Sequence, residues 1–378
     1  MISEKDFISK PFSPKIEKGS FQWSAPSNIA LVKYWGKKEN HPSSNSELAK
    51  QIPANPSISF TLNNCKTITK LSFAKHFDKL SVTADNFSFD LLFEGKPKED
   101  FKPKIQKFFE RIEIYCPYLK DYHFTIDTEN TFPHSSGIAS SASGMAALSM
   151  NIMSLEKALN PDMTEEYFYQ KASFLARLGS GSACRSIKGS VVVWGKHKEI
   201  EGSSDLFGVE LPSTIHANFK NYQDTILLVD KGEKQVSSTV GHDLMHNHPF
   251  AEQRFVQAHQ NLSSLKTVLE NGNLDEFIKI VESEALTLHS MMMTSLPYFI
   301  LMKPNTLEII NKIWKFRNET NIPICFTLDA GANVHVLYPE NVRDVVLQFI
   351  TNELVGYCQN GNYICDSVGK GSLLIIDN

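Results

Sequence analysis

Four short stretches concentrate groups that could do chemistry, and each lies between apolar runs. "NIALVKYWGKK" sets Lys33 and Lys37 four residues apart around Tyr34, Trp35 and Gly36. "PHSSGIASSASG" strings Ser135, Ser136, Gly137, Ser140 and Ser141 into one loop ahead of a run rich in alanine and methionine. "GSGSACRS" places Ser180, Gly181, Ser182, Ala183 and Cys184 just before Arg185. "FTLDAGANVH" ends an apolar run on Asp329 at an Ala-Gly turn. Singly, each has a bland reading: strand-end lysines are commonly solvated, and Asp before Ala-Gly is a common turn residue. Together they suit phosphoryl transfer, which needs cradled phosphates, fixed positive charge and a carboxylate directed at the attacking hydroxyl. Small residues ahead of a helix also let an anion approach free N–H groups and the positive end of the helix dipole.

The elements that must hold these stretches read as a mixed chain of strands and helices. Short β-branched or aromatic runs predict strands at 57–62, 66–73, 79–84 and 87–93, a helix at 102–115 and a strand at 122–130. Helices follow at 141–159 and 164–178, the second with Thr164 as N-cap and Glu165 and Glu166 at its positive end. Beyond "KGSVVVWG" a polar stretch leads to a strand at 224–230 and to helical patterns at 250–270, 274–289 and 306–319. A strand–turn–strand unit at 322–339 and a helix at 342–355 come next. The change of pattern divides the chain into an arm at 1–20, one lobe at 21–215 and a second at 216–378.

The bulk properties narrow the partners. A chain of 378 residues is long for one core. With 42% hydrophobic and 21% charged residues and a net charge of −4, nothing points to nucleic acid. No stretch has the apolar length of a membrane span. The first 20 residues lack the apolar core of a signal peptide and read as an arm laid over the surface. Six cysteines without a CxxC pair suggest reduced thiols in the cytoplasm. There is no G-x-S-x-G elbow, Walker loop or H-E-x-x-H. "HDLMHNH" sets His242, His246 and His248 close together, but without a supporting carboxylate cluster the solvated edge of a helix is preferred to a metal site. Met291, Met292 and Met293 read as packing.

In order and approximate spacing, "NIALVKYWGK", "FP..SGIASSASG", "GSGSACRS", "VSSTVG" and "FTLDAGANVH" resemble the mevalonate diphosphate decarboxylase family. That family sits in the superfamily of galactokinase, homoserine kinase, mevalonate kinase and phosphomevalonate kinase (GHMP), and the resemblance runs from about 23 to 355. It implies an α+β, two-lobed GHMP-kinase-like fold. The N-terminal lobe would be ribosomal-protein-S5-domain-2-like, with a left-handed β-α-β crossover, and the C-terminal lobe ferredoxin-like, with the site in the cleft between them. It implies an ATP- and Mg²⁺-dependent reaction in which the 3-hydroxyl of mevalonate 5-diphosphate is phosphorylated. Phosphate and carbon dioxide then leave to give isopentenyl diphosphate.

Carried over residue by residue, the resemblance makes Asp329 the group that orients the hydroxyl and takes its proton. Arg185 would grip the carboxylate, and Lys33 would be a cation near the reacting centre. Tyr34 and Lys37, in one segment with Trp35 and Gly36, would bind the diphosphate. Substrate contacts would come from the loop of Ser180, Gly181, Ser182, Ala183 and Cys184, and from Ser238 and Thr239. Ser135, Ser136, Gly137, Ser140 and Ser141 would wrap the ATP phosphates, with no Mg²⁺ ligand assigned. A homodimer is implied. Asn28 reads as scaffold, Ser143 and Gly144 as close helix packing, and His289 as a buried, hydrogen-bonded histidine. One departure stands out. Asp90 aligns with a position where the family carries an arginine that helps bind the diphosphate, so it would repel that group unless Lys75 or Lys79 compensates. This leaves open a sibling enzyme acting on mevalonate 5-phosphate, or a 3-kinase without decarboxylation. From other classes come a non-catalytic ligand-binding relative and a hydrolase using Ser180, Ser182 or Cys184.

Overall fold

A computed structural model describes residues 2–12, 16–38, 51–76, 87–133, 138, 140–230 and 238–376, the side chains of 238 and 239 excepted. Along the first half run β1 (Lys18–Val32), β2 (Ser57–Lys75), β3 (Ser88–Phe93), β4 (Lys96–Pro97), α1 (Lys102–Ile112), β5 (Tyr122–Asn130), α2 (Ser140–Leu159), α3 (Glu165–Gly179), β6 (Val191–Trp194) and β7 (Val209–Glu210). The second half carries α4 (Ala217–Lys220), β8 (Gln223–Leu227), α5 (Ser238–Asp243), α6 (Ala251–Asn271), α7 (Leu274–Thr294), α8 (Pro304–Thr320), β9 (Cys325–Thr327), β10 (Val334–Tyr338), α9 (Arg343–Phe349), β11 (Tyr363–Ser367) and β12 (Leu373–Leu374). The first sheet is ordered β12-β1-β2-β5-β3-β4, with β6 and β7 continuing from β2; the second is β11-β8-β10-β9. Among the described strands only β3 and β5 pair in parallel, joined through α1.

Local sequence explains these elements. From Cys65 to Phe73, β2 alternates buried and half-exposed, the period of a sheet with one face on the core. Its first six residues, and β1 from Trp23 onward, are buried throughout because the chain packs on both faces there. The Thr164 hydroxyl accepts from Tyr167 N–H and caps α3. Asn273 caps α7 in the same way, with Asp275 and Glu276 in its first turn. One core lies between the first sheet and α1, α2 and α3, around Phe108, Phe109, Phe124 and Met150. A second, around Ile29, Phe60, Leu262, Phe277 and Ile226, joins the first sheet to α6, α7 and the second sheet. That shared core sets the two sheets against each other, with the site at their junction. None of the described helices is long and apolar enough to cross a membrane.

Several expectations are corrected. The strands expected at 57–62 and 66–73 form the single strand β2. The strand expected at 79–84 lies outside the described residues. The helix expected at 342–355 ends at Phe349 and continues as a π-helical turn, Ile350–Leu354. The N-terminal arm is anchored rather than laid over the surface. Phe7 is 1% exposed and stacks on Phe174 with ring centres 4.4 Å apart, while Lys171 Nζ donates to Ser9 Oγ at 2.7 Å.

Candidate active site

β1 runs straight into Lys33 and Tyr34, α3 runs into the turn holding Ser180 to Arg185, and β9 and β10 are joined by the turn holding Asp329. These three ends, with the start of α2, enclose a cavity of about 340 Å³. Lys33, Tyr34, Trp35, Lys37, Ser141, Ser180, Gly181, Ser182, Arg185 and Asp329 all line it. Among the described residues that line it are four cations, Lys33, Lys37, Lys104 and Arg185, and one carboxylate, Asp329.

Lys33 Nζ donates to Asp329 Oδ1 at 3.0 Å. Burial pushes the Lys33 ammonium below its ordinary range, and the Asp329 carboxylate pulls it back up. The main chain of Lys33 is clamped on both sides. Its N–H donates to Glu284 Oε2 at 2.9 Å, and its carbonyl accepts from Arg254 Nη2 at 3.0 Å and Asn55 Nδ2 at 2.9 Å. Glu284 and Arg254 bind each other at 2.6 Å and are fully buried. On the other side of the carboxylate, the Asp329 carbonyl accepts from His289 Nε2 at 3.1 Å. Burial drives the His289 ring down to about 4, so it acts as a neutral donor.

Arg185 is 3% exposed. Its Nε donates to Asn28 Oδ1 at 3.3 Å and its Nη1 to Ser57 Oγ at 2.6 Å, while the guanidinium carbon stands 5.9 Å from the centre of the Trp194 ring. Asn28 in turn donates to Ser182 O and Ser186 Oγ. Two of five N–H groups are thus used by the frame, and the Nη1–Nη2 edge keeps donors with no partner among the described residues. That edge has the fork geometry a carboxylate needs. Burial raises the Tyr34 phenol, and its hydroxyl is buried with no partner among the described residues. Gly181 makes room for that ring: a Cβ there would stand 3.2 Å from Tyr34 Cε1 and 3.0 Å from Trp194.

Not every expected site residue points into the cavity. Ala183 is buried in the first core, and Cys184 turns inward to donate to Gly181 O, its thiol pushed up to about 12 by burial. A thiol so placed is no nucleophile. Gly36 contributes its amide and a φ of +101° that turns the chain toward Lys37. Ser135, Ser136 and Gly137 lie outside the described residues, as do the side chains of Ser238 and Thr239, which open α5. Asn28 is scaffold in the sense that it holds Arg185, yet it also lines the cavity. Asp90 does not face the cavity. It is exposed on β3, its carboxylate 3.3 Å from His123 Nε2, because alternation along the strand turns Leu91 and Phe93 inward instead. The repulsion expected of it, and the hint toward a monophosphate, lose their basis. His242 is buried rather than on a solvated helix edge. Among the described residues no group of three His, Cys, Asp or Glu could hold a metal.

A second cavity of about 180 Å³ shares Lys104 and Ser141 with the first. Leu91, Phe93, Ile126, Met145 and Leu148 give it apolar walls, and Thr67, Thr69, Thr128 and Asn130 supply polar edges. Ser140 and Ser141, at the N-terminus of the 20-residue α2, stand where the two meet. Gly144 opens onto this space, since a Cβ there would meet nothing within 4 Å; it does not serve the close packing expected of it. Ser143 does pack closely, its hydroxyl 2.6 Å from Thr67 Oγ1. Sequence reasoning missed Asn55, Arg254 and Glu284. Arg254 and Glu284 stand 30 residues apart on successive helices, and nothing in the sequence pairs them.

Residues 25–206 match the model of a diphosphomevalonate decarboxylase-like N-terminal domain, and residues 225–369 that of a mevalonate 5-diphosphate decarboxylase C-terminal domain. The diphosphomevalonate decarboxylase of Candida albicans is 29% identical over 340 residues, covering 86% of each chain. The crystal structure of a mevalonate diphosphate decarboxylase from Legionella pneumophila is 30% identical, with a TM-score of 0.73 over 92% of this chain and all of that one. A structure described as MDDEF in complex with MVAPP, AMPPCP and magnesium is 27% identical, with a TM-score of 0.77 over 95% of this chain and 99% of that one. The two-sheet α+β architecture is the GHMP-kinase-like fold of these structures. With both domain models matched in order, and a relative 30% identical along its whole length, the chain belongs to the mevalonate diphosphate decarboxylase family.

Proposed function

We propose that this chain catalyses the ATP-dependent decarboxylation of mevalonate 5-diphosphate to isopentenyl diphosphate, a step of isoprenoid synthesis by the mevalonate pathway. The observation that carries the reading is the cavity in which, among the described residues, four cations and one carboxylate converge. Such a charge balance suits a polyanion with a reacting hydroxyl. Asp329 orients the 3-hydroxyl and accepts its proton, needing little basicity because phosphoryl transfer is chiefly positioning and electrostatics. Lys33 holds the Asp329 carboxylate in place and presents positive charge beside the reacting oxygen. Arg185 grips the substrate carboxylate along its open Nη edge. Lys37, Tyr34, Ser180 and Ser182 take phosphate and hydroxyl oxygens, and Ser238 and Thr239 are kept as further contacts. The enclosing walls keep water from a cation developing at C3.

The second cavity fits a nucleotide. Its apolar walls suit a base, and the α2 N-terminus with Ser140, Ser141 and Lys104 suits phosphates. Ser135, Ser136 and Gly137 extend that set. Mg²⁺ fits as an ion carried by phosphate oxygens, since the described residues offer no cage of their own. When bound, it neutralises phosphate charge. A solved relative carries MVAPP, AMPPCP and magnesium together.

The same reading takes the chain as a cytoplasmic homodimer. Five buried free thiols suit a reducing compartment, and sedimentation would test the dimer. It divides the chain at 1–20, 21–215 and 216–378; the two matched domain models leave 207–224 between them. The test of function is to incubate the protein with ATP and mevalonate 5-diphosphate, mevalonate 5-phosphate or mevalonate, measuring ADP and carbon dioxide together. Equal release of both from the diphosphate alone is expected. ADP without carbon dioxide, or preference for the monophosphate, overturns the reading.

A further inference from the structure

His242 closes one wall of the cavity, beside Tyr34, Trp35 and Lys37. Its ring centre lies 4.1 Å from that of Tyr34 and 4.7 Å from that of Trp35, tilted against them by 31° and 40°, so these two rings fix its orientation. Gly36 N–H donates to His242 Nδ1 at 3.0 Å. A nitrogen that accepts cannot carry the proton, so the neutral ring bears it on Nε2. Burial, with Lys37 and Arg185 nearby, pushes the ring down to about 3, which keeps it a neutral donor instead of one more cation. Nε2 has no hydrogen-bond partner among the described residues and is not among the sealed polar atoms. Holding Gly36 accounts for Nδ1, and among the described residues nothing uses Nε2.

We propose that His242 is a substrate-binding residue, donating through Nε2–H to a phosphate oxygen of the substrate on the Tyr34–Lys37 side of the cavity. This rests on the function proposed above. A neutral N–H donor adds a directed contact to the anion without adding to the repulsion between Lys37 and Arg185.

The two ring nitrogens can be separated by substitution. In His242→Asn the side-chain oxygen can replace Nδ1 and keep Gly36, while the Nε2 donor is lost. In His242→Gln the side-chain amide can reach the Nε2 position, while the partner of Gly36 is lost. Binding of mevalonate 5-diphosphate is measured by calorimetry, beside the thermal midpoint. The expected result is a dissociation constant weakened roughly tenfold to a hundredfold in H242N at nearly unchanged midpoint, and a smaller loss in H242Q. Wild-type affinity in H242N, with the loss confined to H242Q, overturns the assignment. Nitrogen-15 spectra of the wild-type imidazoles give a reading that needs no variant. Nε2–H of His242 should shift on saturation with substrate, and an unmoved signal overturns the assignment. Wild-type protein that takes up no mevalonate 5-diphosphate overturns the proposed function as well, whereas normal uptake with an indifferent His242 overturns this inference alone.

Discussion

Replacing Glu284 by glutamine tests how the frame holds Lys33. The carboxylate accepts four hydrogen bonds: Lys33 N–H and Arg254 Nη2 on Oε2, at 2.9 and 2.6 Å, and Arg254 Nη1 and Asn261 Nδ2 on Oε1, at 3.1 and 2.6 Å. A glutamine offers one acceptor oxygen, so whichever way its amide faces, its NH₂ meets two donors. It also strips a fully buried Arg254 of its countercharge. Breaking such a pair costs about 3–5 kcal/mol. At roughly 2–4 °C per kcal/mol for domains of this size, the thermal midpoint should fall by about 6–20 °C. Removing both charges, in R254M/E284M, should restore most of that loss, because no ion is left alone. Turnover should nevertheless stay low in the double variant, since the Lys33 main chain has lost two of its three holders and a misplaced ammonium no longer meets Asp329. Urea unfolding and steady-state release of carbon dioxide measure the two effects separately. An E284Q protein within 1 kcal/mol of wild type, or a double variant as unstable as E284Q, would refute the account of stability. A double variant with full turnover would refute the account of aim.

Asp329→Asn should lower turnover by about 10²–10⁴ while substrate binding, read by calorimetry, changes little; loss of binding instead would make Asp329 a ligand for the substrate and no more. His242 and His289 are held neutral, near 3 and near 4, against an ordinary 6.5. As pH falls below 6.5 the unfolded chain takes up protons that the folded chain refuses. Stability should therefore be full above 6.5 and decline toward pH 4, by up to about 1.4 kcal/mol per pH unit for each ring. Urea midpoints at pH 7.5 and 5 check this. His289→Gln should flatten the slope, and a level wild-type profile contradicts the reasoning. Phe7→Ala should cost about 3–5 kcal/mol through loss of the stack on Phe174. A change under 1 kcal/mol in that variant would return the arm to the surface.

What could be read in the sequence follows from how each element is buried. The helices α3, α7 and α8 showed because each pairs a cap or a proline with a 3.6-residue rhythm. β1 did not, because a strand buried on both faces shows no alternation, and Pro26 sits at an irregularity in its pairing with β2. In the site, Lys33 and Asp329 were legible as charges at the ends of apolar runs and Arg185 as the charge that follows a Gly/Ser loop, and the structure brings them to one cavity. The residues that aim them were not. Asn55, Arg254 and Glu284 act through backbone atoms of a segment distant in sequence, and nothing in their own surroundings announces it. The Asp90 expectation failed for a simpler reason: alignment gives a position along a strand, and a one-residue change of facing decides which side of the sheet a charge occupies.

β12 lies at the edge of the first sheet, where Leu373 pairs with Ser24 across 349 residues of chain. Just before it, Ser372 donates through its hydroxyl to Ser186 O and through its N–H to Ile187 O, both at 2.9 Å. The turn that presents Arg185 thus receives two of its hydrogen bonds from a residue made long after it, 186 positions beyond Ser186. At about 5–20 residues per second, a growing chain displays the outer edge of β1 for roughly 20–70 s before its partner strand exists. During that interval the edge is open to pairing with other chains, and the Arg185 turn is incompletely fastened. Fastening of the turn that holds Arg185 thereby waits on the synthesis of Ser372, and a nascent chain stalled short of that residue would carry Arg185 on a turn lacking both of these hydrogen bonds.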